Sequence, residues 1–558
     1  MAHAVEPARP PDTADGAPAG DRRRWGVLAV LCLSVFLIVV DNTIVNVALP
    51  TLVRDLGATT SQLQWIVDAY TLVFAGLLLA GGSVGDRWGR KGALLVGLVL
   101  FAGFSALAAM SSTPGQLIAA RGAMGVGAAL IFPATLALLV NVFTDARERA
   151  KAIGIWAAVS GLSVALGPVA GGWLLEHFWW GSVFLVNLPV VVVAVVAVAL
   201  VVPTSRDTSV GRFDPLGLVL SITGVTLLVW AVIEGPHHGW TSTTSLLVFT
   251  TSAVLLGSFV AWELRRDDPM LDVRVFRSPR FTAGSLAVTF AFFALFGFIF
   301  MVTQYFQFVR GYGTLEAGLR TVPFALFTGA TAPIAPRLAE RFGTKLVVAS
   351  GLVSMAAGFF VAGRLGPDAS YWAVVGAMLL MGAGLGLVNA PATEAIMGSL
   401  PPAKAGVGSA VNDTTRELGG TLGVAIVGSV FASVYGGRLA DALVGQPIPE
   451  AAAGAARESI GAAYAVAAQA PPPFAEALRS VARTAFMDGF SAGSTIAAGV
   501  VLVGAALALA FLPARAVDAA VGPVDLDEAA DDLDVGDAIA GSGPFGGSVP
   551  APVPEAAG

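Results

Sequence analysis

The residues able to do chemistry in this chain are few, and most are acids and arginines set inside apolar runs. Asp41 lies about sixteen residues into the first such run, about 24 Å along a helix rising 1.5 Å per residue. Asp68 sits in the second run, nearer the surface, and Arg121 in the fourth, about 6 Å from its outer end. By residue count all three fall in the outer half of the apolar layer, so an Asp–Arg cluster is geometrically possible. Such a pair stores a switch. Protonating the carboxylate removes its charge, frees the arginine and changes which conformation is favoured.

A second constellation lies far along the chain. Asp413 and Glu417 are four residues apart and share a helix face, with Arg416 alongside. Two carboxylates that close in a low dielectric resist being ionised together, which suits uptake of a proton near neutral pH and also suits a cationic ligand. The competing reading of Asp413 is a solvated charge at the inner surface; Glu417 is deeper. Phe290, Phe292, Phe293, Phe296, Phe298 and Phe300 crowd the ninth apolar run. An aromatic wall with one or two acids would hold lipophilic cations, with Phe293 and Phe296 as candidate lining residues and others facing lipid.

Other chemistries are excluded by what is missing. The single cysteine, Cys32, allows neither an intrachain disulfide nor a thiolate metal site. None of the four lysines (Lys91, Lys151, Lys345, Lys404) follows a glycine, so no phosphate loop with a Gly-Lys pair exists to hydrolyse ATP. The glycines of GAGLG, Gly382 to Gly386, lie inside an apolar run with no strand before them and read as helix-packing residues. No nucleophile, base and metal come together, so we expect no enzyme, no cofactor and no metal. Nucleic acid is not an expected partner either.

The elements that must position these groups are membrane spans. Of the 558 residues, 56% are hydrophobic and 13% charged, against about a quarter charged in soluble domains. Apolar runs of about 20 residues, enough to span, begin near Trp25, Leu63, Ala93, Leu117, Ala152, Val183, Pro215, Ser245, Gly284, Ala317, Leu346, Ala373, Gly408 and Gly489, fourteen in all. Pro323, Pro333 and Pro336 interrupt the tenth, and the thirteenth carries Asp413, Arg416 and Glu417; such spans must face protein or a wet cavity. Basic residues fill alternate connections (Arg87/Arg90/Lys91, Arg147/Arg149/Lys151, Arg206/Arg212, Arg265 to Arg280, Arg337/Arg341/Lys345), which predicts that both termini are cytoplasmic. The run after Arg22 to Arg24 is too long for a signal peptide and reads as an uncleaved first span.

An internal repeat shows through this layout. GSVGDRWGRK, Gly82 to Lys91, aligns with PRLAERFGTK, Pro336 to Lys345, keeping acid, arginine, aromatic, glycine and lysine in register. Parallel repeats of this kind put a substrate site between two halves near the midplane. The expected organisation is a disordered N-terminus (1–24), a six-helix bundle (25–202), two extra helices with linkers (203–280), a second six-helix bundle (281–512, with an extracytoplasmic segment 436–484) and a disordered acidic tail (513–558).

Four motifs resemble those of the major facilitator superfamily, in its fourteen-span drug:proton antiporter branch (QacA/EmrB type), and the likeness runs from about Trp25 to Leu512. DNTIVNVALP, from Asp41 to Pro50, is similar to the first-span signature. GSVGDRWGRK resembles the family's cytoplasmic gating loop, assigning Gly82, Asp86, Arg87, Gly89, Arg90 and Lys91 to a gate; topology alone would explain Arg90 and Lys91 but not Asp86 or the glycine spacing. LIAARGAMGVGAA, Leu117 to Ala129, resembles the fourth-span motif whose arginine is linked to proton coupling, though Met124 stands where glutamine is usual; the plain alternative is Arg121 snorkelling outward. Gly154 to Gly172, ending GPVAGG, resembles the antiporter motif through Gly154, Gly167, Pro168, Gly171 and Gly172, with Ser163 at a glycine position; generic helix packing is the alternative.

The resemblance implies an all-α membrane protein of major facilitator fold, two six-helix bundles plus two extra central helices, multi-pass in the inner (plasma) membrane. It implies a proton-coupled antiporter that exports hydrophobic, cationic drugs or antibiotics by alternating access and functions as a monomer in membrane lipid. Its partners would be protons and small lipophilic cations. Asp41, Arg121, Glu417 and Asp413 are the candidate proton-coupling residues, and Asp41, Asp68, Glu417, Phe293 and Phe296 the candidate substrate residues. The rival readings are an exporter dedicated to one endogenous metabolite, an uptake symporter and a non-transporting sensor.

Overall fold

In the computed structural model, residues 17–206, 214–266, 269, 271–400, 405–444 and 448–513 are described. The expectations for the first sixteen residues and for the acidic tail from 514 lie outside them. Among the described residues the regular structure is entirely helical. The first half contains α1 (Ala17–Leu56), α2 (Thr60–Trp88), α3 (Arg90–Ala109), α4 (Pro114–Val142), α5 (Ala146–His177), the short α6 (Ser182–Leu185) and α7 (Asn187–Val201). Then come α8 (Pro215–Ile233), the short α9 (Gly235–His238) and α10 (Thr243–Glu263). The second half contains α11 (Pro279–Gln304), continued by a π turn at Tyr305–Val309, then α12 (Thr314–Thr331), α13 (Ala335–Phe342), α14 (Thr344–Ala362), α15 (Tyr371–Met397), α16 (Ala405–Leu443), α17 (Glu450–Glu458), α18 (Ile460–Ala468) and α19 (Pro472–Phe511).

Local chemistry sets where these helices begin. Thr59 closes a capping box with Gln62 ahead of α2, and Thr113 accepts from the Gln116 amide with Pro114 in the first turn of α4. Asp214, Ser242 and Ser278 cap α8, α10 and α11 in the same way. α1 already begins at Ala17, eight residues before Trp25 (25 − 17), so its start is helical rather than part of a loose terminus.

Twelve helices among the described residues are long and apolar enough to cross a membrane, and thirteen if Thr60–Leu78 and Ala80–Trp88, bent by 52°, form one span. The tenth expected span corresponds to α12, whose 18 residues include Glu316 and Arg320 and fall outside that set. The segment 436–484, after the thirteenth run, holds several helices among its described residues: α16 extends to Leu443, α17 and α18 follow, and α19 starts at Pro472.

The repeat is written into the backbone. Gly89, between α2 and α3, has φ 112°, and Gly343, between α13 and α14, has φ 91°. A side chain at either site would be strained, which is why the aligned motifs share that glycine. Gly97 of α3 meets Gly127 of α4 backbone to backbone, and Gly351 of α14 meets Gly384 of α15 likewise. The GAGLG glycines are therefore packing residues, as their apolar setting predicts.

The halves meet toward the end of the bundle that carries the Gly57 turn between α1 and α2. Gln64 of α2 donates to the Val424 and Ala425 carbonyls of α16 at 3.1 and 2.9 Å, and the Thr71 and Thr421 hydroxyls lie 2.9 Å apart. Gln307 of the π turn donates to the Val47 carbonyl at 2.9 Å, and Thr314 of α12 to the Gly172 carbonyl at 3.0 Å. α17 and α18 sit over this end: Thr60 donates to the Glu458 carbonyl at 2.5 Å, and Gly461 packs on Val53 and Phe308. Toward the opposite, Gly89 end, Gly154 and Gly161 of α5 have open space beside them. The extra helix α8 lies over the α2–α16 seam, with Ile222 against Gly76 and the Val232 carbonyl accepting from Ser429 at 2.7 Å.

Candidate functional site

The fourth span carries a charge to the interior of the first half. Arg121 is fully buried, and its Nη1 donates to Asp41 Oδ2 of α1 at 2.5 Å. Its Nε donates to the Ile66 carbonyl of α2 at 3.1 Å, and its guanidinium lies 4.3 Å from the Tyr70 ring centroid. Asn187 of α7 holds the second carboxylate oxygen, donating to Asp41 Oδ1 at 2.8 Å while also reaching Ser105 Oγ of α3 at 3.0 Å. Five helices thus converge on one ion pair, and both of its side chains have no exposed area. Charges taken out of water are tolerated only when paired and hydrogen-bonded in this way. Arg121 does not snorkel to a surface.

Asp68 stands apart from this pair. It is fully buried, and neither carboxylate oxygen has a hydrogen-bond partner. Its helix position explains the separation: Gln64 and Thr71, one turn to either side, both face α16, so Asp68 shares that face while the Ile66 carbonyl serves Arg121. Thr43 and Asn46 bond the backbone of their own helix rather than neighbouring ones, Thr43 to the Val39 carbonyl and Asn46 to that of Asn42.

In the second half, Asp413 and Glu417 lie on α16 with Arg416 beside them. Arg416 Nη1 is 3.9 Å from Asp413 Oδ1, and its Nη2 donates to Asn389 Oδ1 at 2.8 Å and Thr393 Oγ1 at 3.2 Å, both on α15. The Phe292 ring lies 5.4 Å from the guanidinium. Glu417 Oε2 is buried without a hydrogen-bond partner. Phe293 and Phe296 are buried where α11 packs on α16, against Gly423 and Gly420, so in this form it is Phe292 that meets the charged cluster. Phe290 faces outward into an apolar groove with α19.

The GSVGDRWGRK segment, Gly82 to Lys91, is ordered by its own half. Arg90 Nε donates to Asp86 Oδ1 at 2.6 Å, its backbone N–H to the Ser205 carbonyl at 2.8 Å, and Lys91 Nζ to the Ala199 carbonyl at 2.8 Å. Gly82 packs beside Pro133 of α4, and Gly89 makes the turn. Arg87 closes the same last turn of α2. The antiporter-motif glycines lie on the seam: Gly167 and Gly171 pack on Thr43 and Ile44 of α1, Gly172 meets Thr314 and Leu315 of α12, and Gly318 of α12 meets the Pro168 carbonyl. Gly154, at the Gly89 end of the same helix, has open space beside it where a side chain would project.

Sequence reasoning missed Asn187, Tyr70, Asn389 and Thr393 as members of these sites. Asn187 had a signal, being an amide just ahead of a run of valines and alanines. Asn389 and Thr393 are four apart, the spacing that puts two polar groups on one face.

The chain matches the family model described as Major Facilitator Superfamily over residues 31–424. It is 40% identical to multidrug efflux pump LfrA of Mycolicibacterium smegmatis over 88% of this chain and 98% of that protein. It is 36% identical to methyl viologen resistance protein SmvA of Salmonella typhimurium over 86% and 97%. The fold resembles that of a bacterial homolog of the human lysosomal transporter Spinster, solved inward-facing and unoccupied, with a TM-score of 0.62 at 17% identity over 89% of this chain and 99% of that one.

Proposed function

The chain belongs to the Major Facilitator Superfamily, in its drug:proton antiporter branch, and from the buried ion pair at its centre we propose that it expels lipophilic cations in exchange for protons. It is a drug exporter and a multi-pass protein of the inner membrane. The observation that carries the proton coupling is the Asp41–Arg121 pair, fully buried and bonded at 2.5 Å. Protonation of Asp41 would leave Arg121 without its counter-ion, and the helices that hold the pair would then favour a different packing. An inward proton supplies about 2.3 kcal/mol per 100 mV of membrane potential, in addition to the pH gradient.

Sidedness follows from charge. Arg87, Arg90, Lys91, Arg337, Arg341 and Lys345 gather at the Gly89 end, which we assign to the cytoplasm together with both termini. α12, at 18 residues and about 27 Å, then counts as a span as well and brings their number to fourteen. Two six-span bundles (25–202 and 281–512) flank the extra pair, and one chain supplies both halves, so a monomer suffices. On this reading the described form is closed outward, through the α2–α16 and α5–α12 contacts, and open inward. Substrate enters from the cytoplasm toward Asp413, Glu417 and Phe292; Asp68, Phe293 and Phe296 join the site as the halves move. The gate residues Asp86, Arg87, Arg90 and Lys91 close the inner side in the other state. SmvA is named for resistance to methyl viologen, a dication, and an exported dication would favour an acid-lined site.

The test is efflux of a fluorescent lipophilic cation from proteoliposomes under an imposed pH gradient. Gradient-driven export lost in Asp41→Asn or Glu417→Gln supports antiport and locates the coupling acid. Unchanged export in both variants refutes this assignment, and flux with one endogenous metabolite but no dye points to a dedicated exporter.

A further inference from the structure

The two acid sites belong to different halves, and one side chain of the first stands beside the seam that joins them. Tyr70 of α2 is fully buried, and its hydroxyl has no hydrogen-bond partner. Its ring carries the Arg121 guanidinium at 4.3 Å and is braced by Phe74 and Phe101, with centroids at 6.0 and 6.5 Å. The next residue, Thr71, lies 2.9 Å, hydroxyl to hydroxyl, from Thr421 of α16, which is one helical turn from Glu417. Glu417, in turn, has a buried oxygen without a partner. A buried donor and a buried acceptor that are both unsatisfied, on two bodies that must move against each other, are costly in one arrangement and matched in another.

We infer that Tyr70 is the positioning residue that couples the halves: its ring holds Arg121 of the first half, and its hydroxyl donates to the Glu417 carboxylate of the second when the halves shift. No proton changes owner in this step. The hydroxyl keeps its hydrogen, and the new bond favours the ionised acid in one conformation only. Release of Glu417's proton thereby becomes tied to the position of Arg121, and so to the charge on Asp41. The inference rests on the antiport reading above, and it adds a residue that no motif of the family likeness contains.

Tyr70→Phe is the direct probe, because it keeps the ring on Arg121 and removes only the donor. In the proteoliposome assay it should lower gradient-driven dye efflux about tenfold, leave dye binding to the purified protein unchanged and shift the pH profile of efflux. In the Glu417→Gln background, where no acid remains at that position to titrate, the same change should leave the pH profile of gradient-free dye counterflow unmoved. An equal shift of that profile in both backgrounds, or an unaltered pH profile of efflux in Tyr70→Phe, would overturn the inference. Should Tyr70→Phe fold poorly, 3-fluorotyrosine at position 70 keeps the shape and strengthens the donor; an unmoved pH midpoint then overturns it equally. Absence of gradient-driven efflux in the parent protein is a different failure and removes the antiport reading itself.

Discussion

Asn187 Nδ2 lies 2.8 Å from Asp41 Oδ1, so the carboxylate that Arg121 grips through one oxygen is held through the other by α7. The amide also ties α7 to Ser105 of α3, whose hydroxyl donates to the Phe184 carbonyl at 2.8 Å. The buried ion pair of the first half is therefore part of a relay of polar contacts across α1, α3, α4 and α7.

Asn187→Leu removes the amide without adding charge. Leaving one carboxylate oxygen and Ser105 without this partner should destabilise the protein by about 1–3 kcal/mol. Thermal unfolding of the purified protein checks this, and drug efflux should fall while expression persists.

Arg121→Met leaves the Asp41 carboxylate buried with its counter-ion gone, a loss of about 3–5 kcal/mol. The double variant Arg121→Met with Asp41→Asn removes both charges and should unfold at a higher temperature than Arg121→Met alone. Equal or lower stability of the double variant would show that the pair is not the dominant electrostatic contact. Both should be inactive in gradient-driven transport.

The contact between Thr71 and Thr421 offers a lock. Cys32 is the sole cysteine of the sequence, so Thr71→Cys with Thr421→Cys in a Cys32→Ser background gives one defined pair. The hydroxyls are 2.9 Å apart, and oxidation should cross-link the two halves and stop efflux, with a reductant restoring it. Gly318→Ala, which drives a methyl into the Pro168 carbonyl across the α5–α12 seam, should lower the cross-link yield by favouring separation at that end.

Gly89 and Gly343 adopt φ of 112° and 91°, where a side chain is strained. Gly89→Ala and Gly343→Ala should each destabilise by about 1–3 kcal/mol. The two sites lie in different halves, so their effects should add; melting of the double variant reads this directly.

Much of this was legible in the chain. Asp41 and Arg121 could be matched in depth because helix rise is constant, and an intramembrane acid demands a partner. The shared face of Asp413 and Glu417 follows from helical spacing, and the common glycine turn of the two halves follows from one aligned motif. Depth alone, however, also drew Asp68 into the Asp–Arg cluster. Residue counting reports height along a span and not azimuth against neighbours, and Asp68 faces α16 instead.

The sequence by itself determined the all-helical membrane class, the internal repeat and the pairing height of Asp41 and Arg121, because hydropathy, helix rise and glycine backbone preference are local properties. Only the tertiary structure decided that Asn187 holds the second oxygen of Asp41, that Asp68 lies on the seam, that α17 and α18 cover one end, and that Tyr70 meets Arg121 with its ring. These depend on which helices become neighbours and how each is rotated about its axis. That choice is made by packing among all the spans together, and no single stretch of chain carries it.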